Sequence, residues 1–177
     1  MKKKFAIVAA FLLSLTCFAV AQDKKPPAGP PADAECKMAD GKTIKVHYSS
    51  PRMKGRKIYG GLVPYGQVWR TGANEATSFV TDTDLTVAGK DVPAGSYTIF
   101  TVPNADKWSL IINKKTGEWG IPYKYESDEL LRADMNVAKT PSQVENFTIS
   151  FDQGGGGCTM NLDWENTRAS IQLQEKK

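Results

Sequence analysis

The stretch Asn146 to Asp152, NFTISFD, places Phe147, Ile149 and Phe151 on one side and Thr148, Ser150 and Asp152 on the other. A two-residue period of this kind belongs to a strand that buries one face and wets the other. The same habit runs outward from it in both directions. KTIKVHY (42–48) alternates, while GSYTIFTVP (95–103) and KWSLIIN (107–113) are β-branched and aromatic runs. Toward the C-terminus, Met160, Leu162 and Trp164 alternate with Asn161 and Asp163. Ala169, Ile171 and Leu173 then alternate with Arg168, Ser170 and Gln172, and Glu165-Asn166 between them reads as a hairpin turn. GGGG (154–157) reads as a flexible connection between strands, and VAGKDVPAGSY (87–97) as another turn. The runs add up to about eight to ten strands with short connections, which predicts an all-β chain folded as an antiparallel β-sandwich of jelly-roll type. A helical turn is expected only around Tyr65 to Trp69.

The N-terminus reads differently. Three lysines precede an apolar run from Phe5 to Phe18, and Ala19-Val20-Ala21 follows the small-x-small pattern of a signal peptidase site. The run is shorter than the ~20 residues that span a bilayer, so residues 1–21 are expected to be a signal peptide cut after Ala21, leaving no stable membrane anchor. The chain is then exported, to the periplasm or beyond. Residues 22–34, QDKKPPAGPPADA, carry four prolines and no aromatic or β-branched residue, the composition of a disordered tether. Residues 35–177 remain as a single domain.

Loss of Lys2, Lys3 and Lys4 takes the formal charge from +4 to +1. The basic balance therefore belongs to the leader, and nothing points to nucleic acid as a partner. What charge remains is uneven: between Asp40 and Glu75 there is no acidic residue, while Lys42, Lys45, Arg52, Lys54, Arg56, Lys57 and Arg70 are all cationic. Cys17 leaves with the leader, and Cys36 and Cys158 form an isolated pair that an oxidising compartment would join as a disulfide. By the chain-entropy model, closing so long a loop contributes about 4–5 kcal/mol.

Catalytic chemistry is thinly represented. His47 is the single histidine, so a multi-histidine metal centre cannot be built, and no carboxylate loop of calcium-binding spacing occurs. Neither a metal nor another cofactor is expected. Ser49 shares the strand face of His47, but same-face neighbours lie ~6.5–7 Å apart, beyond direct hydrogen-bond reach. The cysteine pair is not C-x-x-C, and GGGG lacks the helix and Lys-Ser/Thr that a phosphate loop needs.

The densest concentration of special residues is SSPRMKGRKIYGG (49–61) followed by GGLVPYGQVWRTGANEAT (60–77). Here Arg52, Arg56 and Arg70 offer forked donors for a carboxylate, phosphate or sulfate, and Trp69 offers a flat face for a sugar ring. Asn74 and Glu75 supply orienting hydrogen bonds, and Trp119 stands in a second aromatic segment, TGEWGIPYKYESDELLR (116–132). The same residues also suit a structural loop in which Arg70 pairs with Glu75 and Asn74 caps the turn.

These segments carry a resemblance. S-P-R-x-K-G-R at 50–56 and V-W-R-T-G-A-N-E-A-T at 68–77, continued through the 116–132 segment, resemble the bacterial family called domain of unknown function 2911, over roughly Lys42 to Leu173. The resemblance implies an exported bacterial protein. It implies no activity, and none of the matching residues acquires a role from it.

Three functions compete. The first is a non-catalytic binding or envelope module whose basic and aromatic cleft takes an anionic or sugar-like ligand through Arg52, Arg56, Trp69, Arg70, Asn74, Glu75 and Trp119. The second is a hydrolase using Glu75 and Asp128 as acid and base near Arg70, which requires carboxylates ~5–9.5 Å apart. The third is a purely structural or protein-interaction domain. The sequence does not specify an oligomeric state.

Overall fold

The computed structural model describes residues 28–176. The signal peptide and the first part of the tether lie outside the described residues. Among the described residues nine strands occur: β1 (Pro31–Lys37), β2 (Thr43–Ser49), β3 (Thr77–Thr81), β4 (Leu85–Val87), β5 (Lys90–Val92), β6 (Gly95–Val102), β7 (Trp108–Asn113), β8 (Glu129–Gly154) and β9 (Gly157–Glu175). All pairings are antiparallel, in the order β1-β2-β3-β6-β7-β8-β9-β4-β5. The fold is all-β and sandwich-like.

Two long strands turn the corner between layers. Glu129 to Met135 of β8 pair with β7, and the rest of the strand, Asn136 to Gly154, pairs with β9. The sheet then folds over onto itself: Phe147 N–H donates to Pro51 O at 2.9 Å and Met53 N–H to Glu145 O at 2.8 Å, joining the chain after β2 to the far half of β8. Between the layers lie Trp108, Trp164, Phe79, Phe147, Ile99 and Leu162, each essentially free of solvent. In NFTISFD, Phe147 and Ile149 are buried and Phe151 packs against the core, as the alternation requires.

Three expectations need correction. The tether does not reach residue 34, because Pro31 to Ala34 belong to β1, paired from Pro31↔Ser49 to Lys37↔Thr43. Proline is tolerated there because β1 is an edge strand and Pro31 its first residue. Small Ala32 and Ala34 face the core beside Cys36, too weak an apolar signal to read as a strand. Second, Glu165-Asn166 is no hairpin turn. The inward set Cys158, Met160, Leu162, Trp164 and the inward set Ala169, Ile171, Leu173 differ in parity, and one continuous strand absorbs the change at Glu165, whose φ is +57°. The pairing register with β8 shifts beside it, the mark of a β-bulge. The actual hairpin turn is Gly155-Gly156, with φ of 62° and 77°, the backbone that a tight primed turn between twisted strands demands. Third, Tyr65 to Trp69 is not helical; the helical turn among the described residues is a single 3-10 turn, Glu126–Asp128.

Cys36 and Cys158 are joined, tying β1 to β9 across 122 residues. No helix among the described residues is long and apolar enough to cross a membrane.

Candidate functional site

The loop from Ser50 to Arg56 is held by β8. Besides the two backbone bonds already named, Arg52 Nη1 donates to Asn146 Oδ1 at 2.9 Å and Lys54 N–H to the Glu145 carboxylate at 2.9 Å. Ser50 Oγ, buried, donates to Phe147 O at 2.6 Å. Arg56 curls back on its own loop, with Nε donating to Met53 O at 2.9 Å and Nη2 to Arg52 O at 2.7 Å. The guanidinium is thereby fixed in place by neutral acceptors.

The segment 68–77 is held from the other side. Trp69 exchanges backbone bonds with Thr101 at 2.7 and 2.9 Å, and its indole Nε1 donates to Gly72 O at 3.1 Å. The ring stacks on Trp164 (5.9 Å, 17°) and meets Phe147 edge-on at 4.9 Å, so most of Trp69 is core. Gly72 is required by proximity: a Cβ there would stand 2.9 Å from Ser49 O. Asn74, at φ +58°, is a clamp. Its Oδ1 accepts from Ala28 N–H at 3.0 Å, and its Nδ2 donates to Ser49 Oγ at 3.0 Å and Gly29 O at 3.3 Å.

Arg70 does not pair with Glu75. Its Nη1 donates to Asn74 O and, at 3.2 Å, to Trp119 O, and its guanidinium lies 4.8 Å from the centroid of the Trp119 ring. Partial burial pulls Arg70 below its ordinary value, opposed by the field of Glu75; an arginine remains cationic regardless. Glu75 itself points into solvent.

Trp119 arrives on the loop between β7 and β8. That loop lies flat because Gly120 (φ +87°) leaves room; a Cβ there would meet Ala76 at 2.8 Å and Phe100 at 3.0 Å. Tyr123 and Tyr125 pack on Phe100, on the outer face of β6, rather than turning to the cleft. The end of the loop is pinned by a polar chain: Asn113 Nδ2 donates to Tyr123 Oη (3.2 Å), Tyr123 Oη to Glu129 (2.5 Å), and Arg132 forks onto Glu129 with both bonds at 2.6 Å.

Together these loops enclose a cleft of about 640 Å³ lined by Lys54, Arg56, Leu62, Gln67, Trp69, Arg70, Asn74, Ile121 and Trp164 among others. The volume is that of ordinary small-ligand sites. Among the described residues, the large apolar side chains left exposed are Trp119 (54%), Leu62 (46%), Tyr65 (45%) and Ile121 (38%). Leu62 and Ile121 line this cleft and Trp119 covers its Arg70, whereas Tyr65 is not on the lining. A clustering of exposed apolar groups at one concavity, rather than scattered singly, marks an interaction site.

Of the candidates, Arg56, Trp69, Arg70 and Asn74 come together at the cleft, with Trp119 on its rim. Arg52 lies just outside on Asn146. Glu75 and Asp128 do not line the cleft, and no other carboxylate does; the pair proposed for hydrolysis is not gathered there. His47 faces outward and meets Asp33 at 2.7 Å on the exposed side of β1 and β2. No group of three or more His, Cys, Asp and Glu that could hold a metal occurs among the described residues. Leu62, Gln67 and Ile121 were not anticipated; the signal for them was an apolar residue placed within turn-forming sequence.

A family model described as a protein of unknown function (DUF2911) matches residues 29–173. The chain belongs to this family. The matched span opens at Gly29, which lies close against the chain after β2: a Cβ on Gly29 would lie 2.5 Å from Ser50 O. No curated protein and no solved structure matches the chain.

Proposed function

We propose that this DUF2911 chain is an exported, non-catalytic binding module whose basic and aromatic cleft takes an anionic or sugar-like ligand. The observation that carries this reading is how the arginines are partnered. Arg132 and Arg168, remote from the cleft, each fork onto a carboxylate, Glu129 and Asp163. Arg52, Arg56 and Arg70 donate only to neutral oxygens, and the Lys54 ammonium, unlike its backbone N–H, has no carboxylate within ion-pair distance among the described residues. The three guanidiniums are held in position by neutral acceptors and none is paired with a carboxylate, which is what preorganised anion recognition needs.

A thermal-shift screen with anionic glycans and cell-wall fragments is expected to give stabilisation that Arg70→Ala abolishes. Absence of any stabilising compound would favour a structural or protein-partner role. Export has its own check: the intact mass of protein recovered from outside the cytoplasm is expected to begin at Gln22.

A further inference from the structure

The side-chain polar groups of the cleft are nearly all donors. Lys54, Arg56 and Arg70 accept nothing, and the Trp69 and Trp164 indoles already donate to Gly72 O and Glu145 O at 3.1 Å each. Asn74 has spent its amide on Ala28, Gly29 and Ser49. Gln67 is the one side-chain acceptor left on the lining. A carbohydrate brings a hydroxyl donor on almost every carbon and would find almost no side chain to accept them, so each buried hydroxyl that no backbone carbonyl meets would carry a desolvation cost. The rest of the wall is apolar: Pro51, Leu62, Val63, Pro64, Val68 and Ile121.

Arg70 adds geometry. Arg132 and Arg168 hold their carboxylates through Nε and Nη2. In Arg56 the same two atoms are occupied by carbonyls. In Arg70 only Nη1 is engaged, and the Nε–Nη2 edge has no partner among the described residues. Trp119 stacked on the guanidinium holds its plane.

Resting on the binding reading above, we infer that the ligand is an amphiphilic carboxylate: an apolar body seated against Leu62, Val68 and Ile121, with its head forked on the Nε–Nη2 edge of Arg70. The test is titration calorimetry of the disulfide-bonded chain with decanoate, 2-naphthoate, the uncharged 2-naphthalenemethanol, a heparin hexasaccharide and cellohexaose. At least one of the two carboxylates is expected to bind, with the uncharged alcohol at least about tenfold weaker than 2-naphthoate if that acid is the binder. Arg70→Lys, which keeps the charge and loses the fork, is expected to weaken binding about tenfold, and Arg70→Met more. Leu62→Glu, on an exposed side chain that the fold does not need, is expected to abolish binding without lowering the melting temperature. Carboxylate binding unaffected by Arg70→Met or by Leu62→Glu overturns the inference. Arg70-dependent binding of either oligosaccharide with no carboxylate binding also overturns it while leaving the broader reading intact, and no binding by any of the five compounds overturns both.

Discussion

Arg70 and Glu75 sit five residues apart with opposite charge, yet the arginine turns to the carbonyls of Asn74 and Trp119 and the glutamate to water. An exposed charge that touches nothing contributes little, so a double-mutant cycle of Arg70→Met and Glu75→Gln is expected to give a coupling below about 0.5 kcal/mol in urea unfolding. A coupling above 1.5 kcal/mol would restore the structural ion pair. Tyr59 makes the opposite kind of case. Its ring is packed edge-on against Trp108 at 4.8 Å and its hydroxyl is buried with no partner among the described residues. Removing an unsatisfied buried polar atom without changing the ring is neutral to stabilising. Tyr59→Phe is therefore expected to leave stability unchanged or raise it by up to about 1 kcal/mol; a loss of that size would show that the hydroxyl does find a partner in solution.

At the scale of elements, the edge strand β1 is tied to β9 by a covalent bond rather than by pairing. Reduction of Cys36–Cys158, or the double replacement by alanine, is expected to cost about 2–5 kcal/mol and to lower the melting temperature, since the bond closes a long loop and anchors an edge strand that pairs on one side only. Equal melting curves with and without reductant would contradict this. The loop from β7 to β8 hangs on Glu129. Arg132 first, with the Tyr123 hydroxyl, holds this carboxyl below its ordinary value of 4.5 against the opposing effect of burial. A carboxyl depressed in the folded state stabilises fully above its unfolded value and loses that contribution as pH falls through the folded one. Glu129→Gln is thus expected to be less stable at neutral pH, with the gap to the unmodified protein closing below about pH 4.5. A gap that widens on acidification would place the effect elsewhere. Because this loop carries Trp119 and Ile121, the same variant should also weaken any ligand of the cleft.

For the molecule as a whole, the strand pattern is legible because most strands bury one face, which gives a local two-residue period, while β6 and β7, buried on both faces, read as continuous β-branched and aromatic runs. Phe147, Ile149 and Phe151 announced their layer without reference to any partner. The disulfide followed from cysteine count and compartment alone. Two errors show where locality stops: β1 escaped notice because alanines on an edge strand bury too little to leave a pattern, and the bulge at Glu165 looked like a turn because a parity change in sequence has the same signature whether the chain reverses or merely slips by one. The cleft divides in the same way. That Arg52 to Arg70 form a basic reach without acids is written in the chain; that Arg56, Arg70, Leu62 and Ile121 enclose one concavity, and that Glu75 and Asp128 stay outside it, is not. Side-chain type and spacing are properties of the sequence. Which loops meet, and which arginine is left without a carboxylate, depend on contacts between residues as far apart as Arg70 and Trp119 or Lys54 and Glu145, and those exist only once the sheet has folded over on itself.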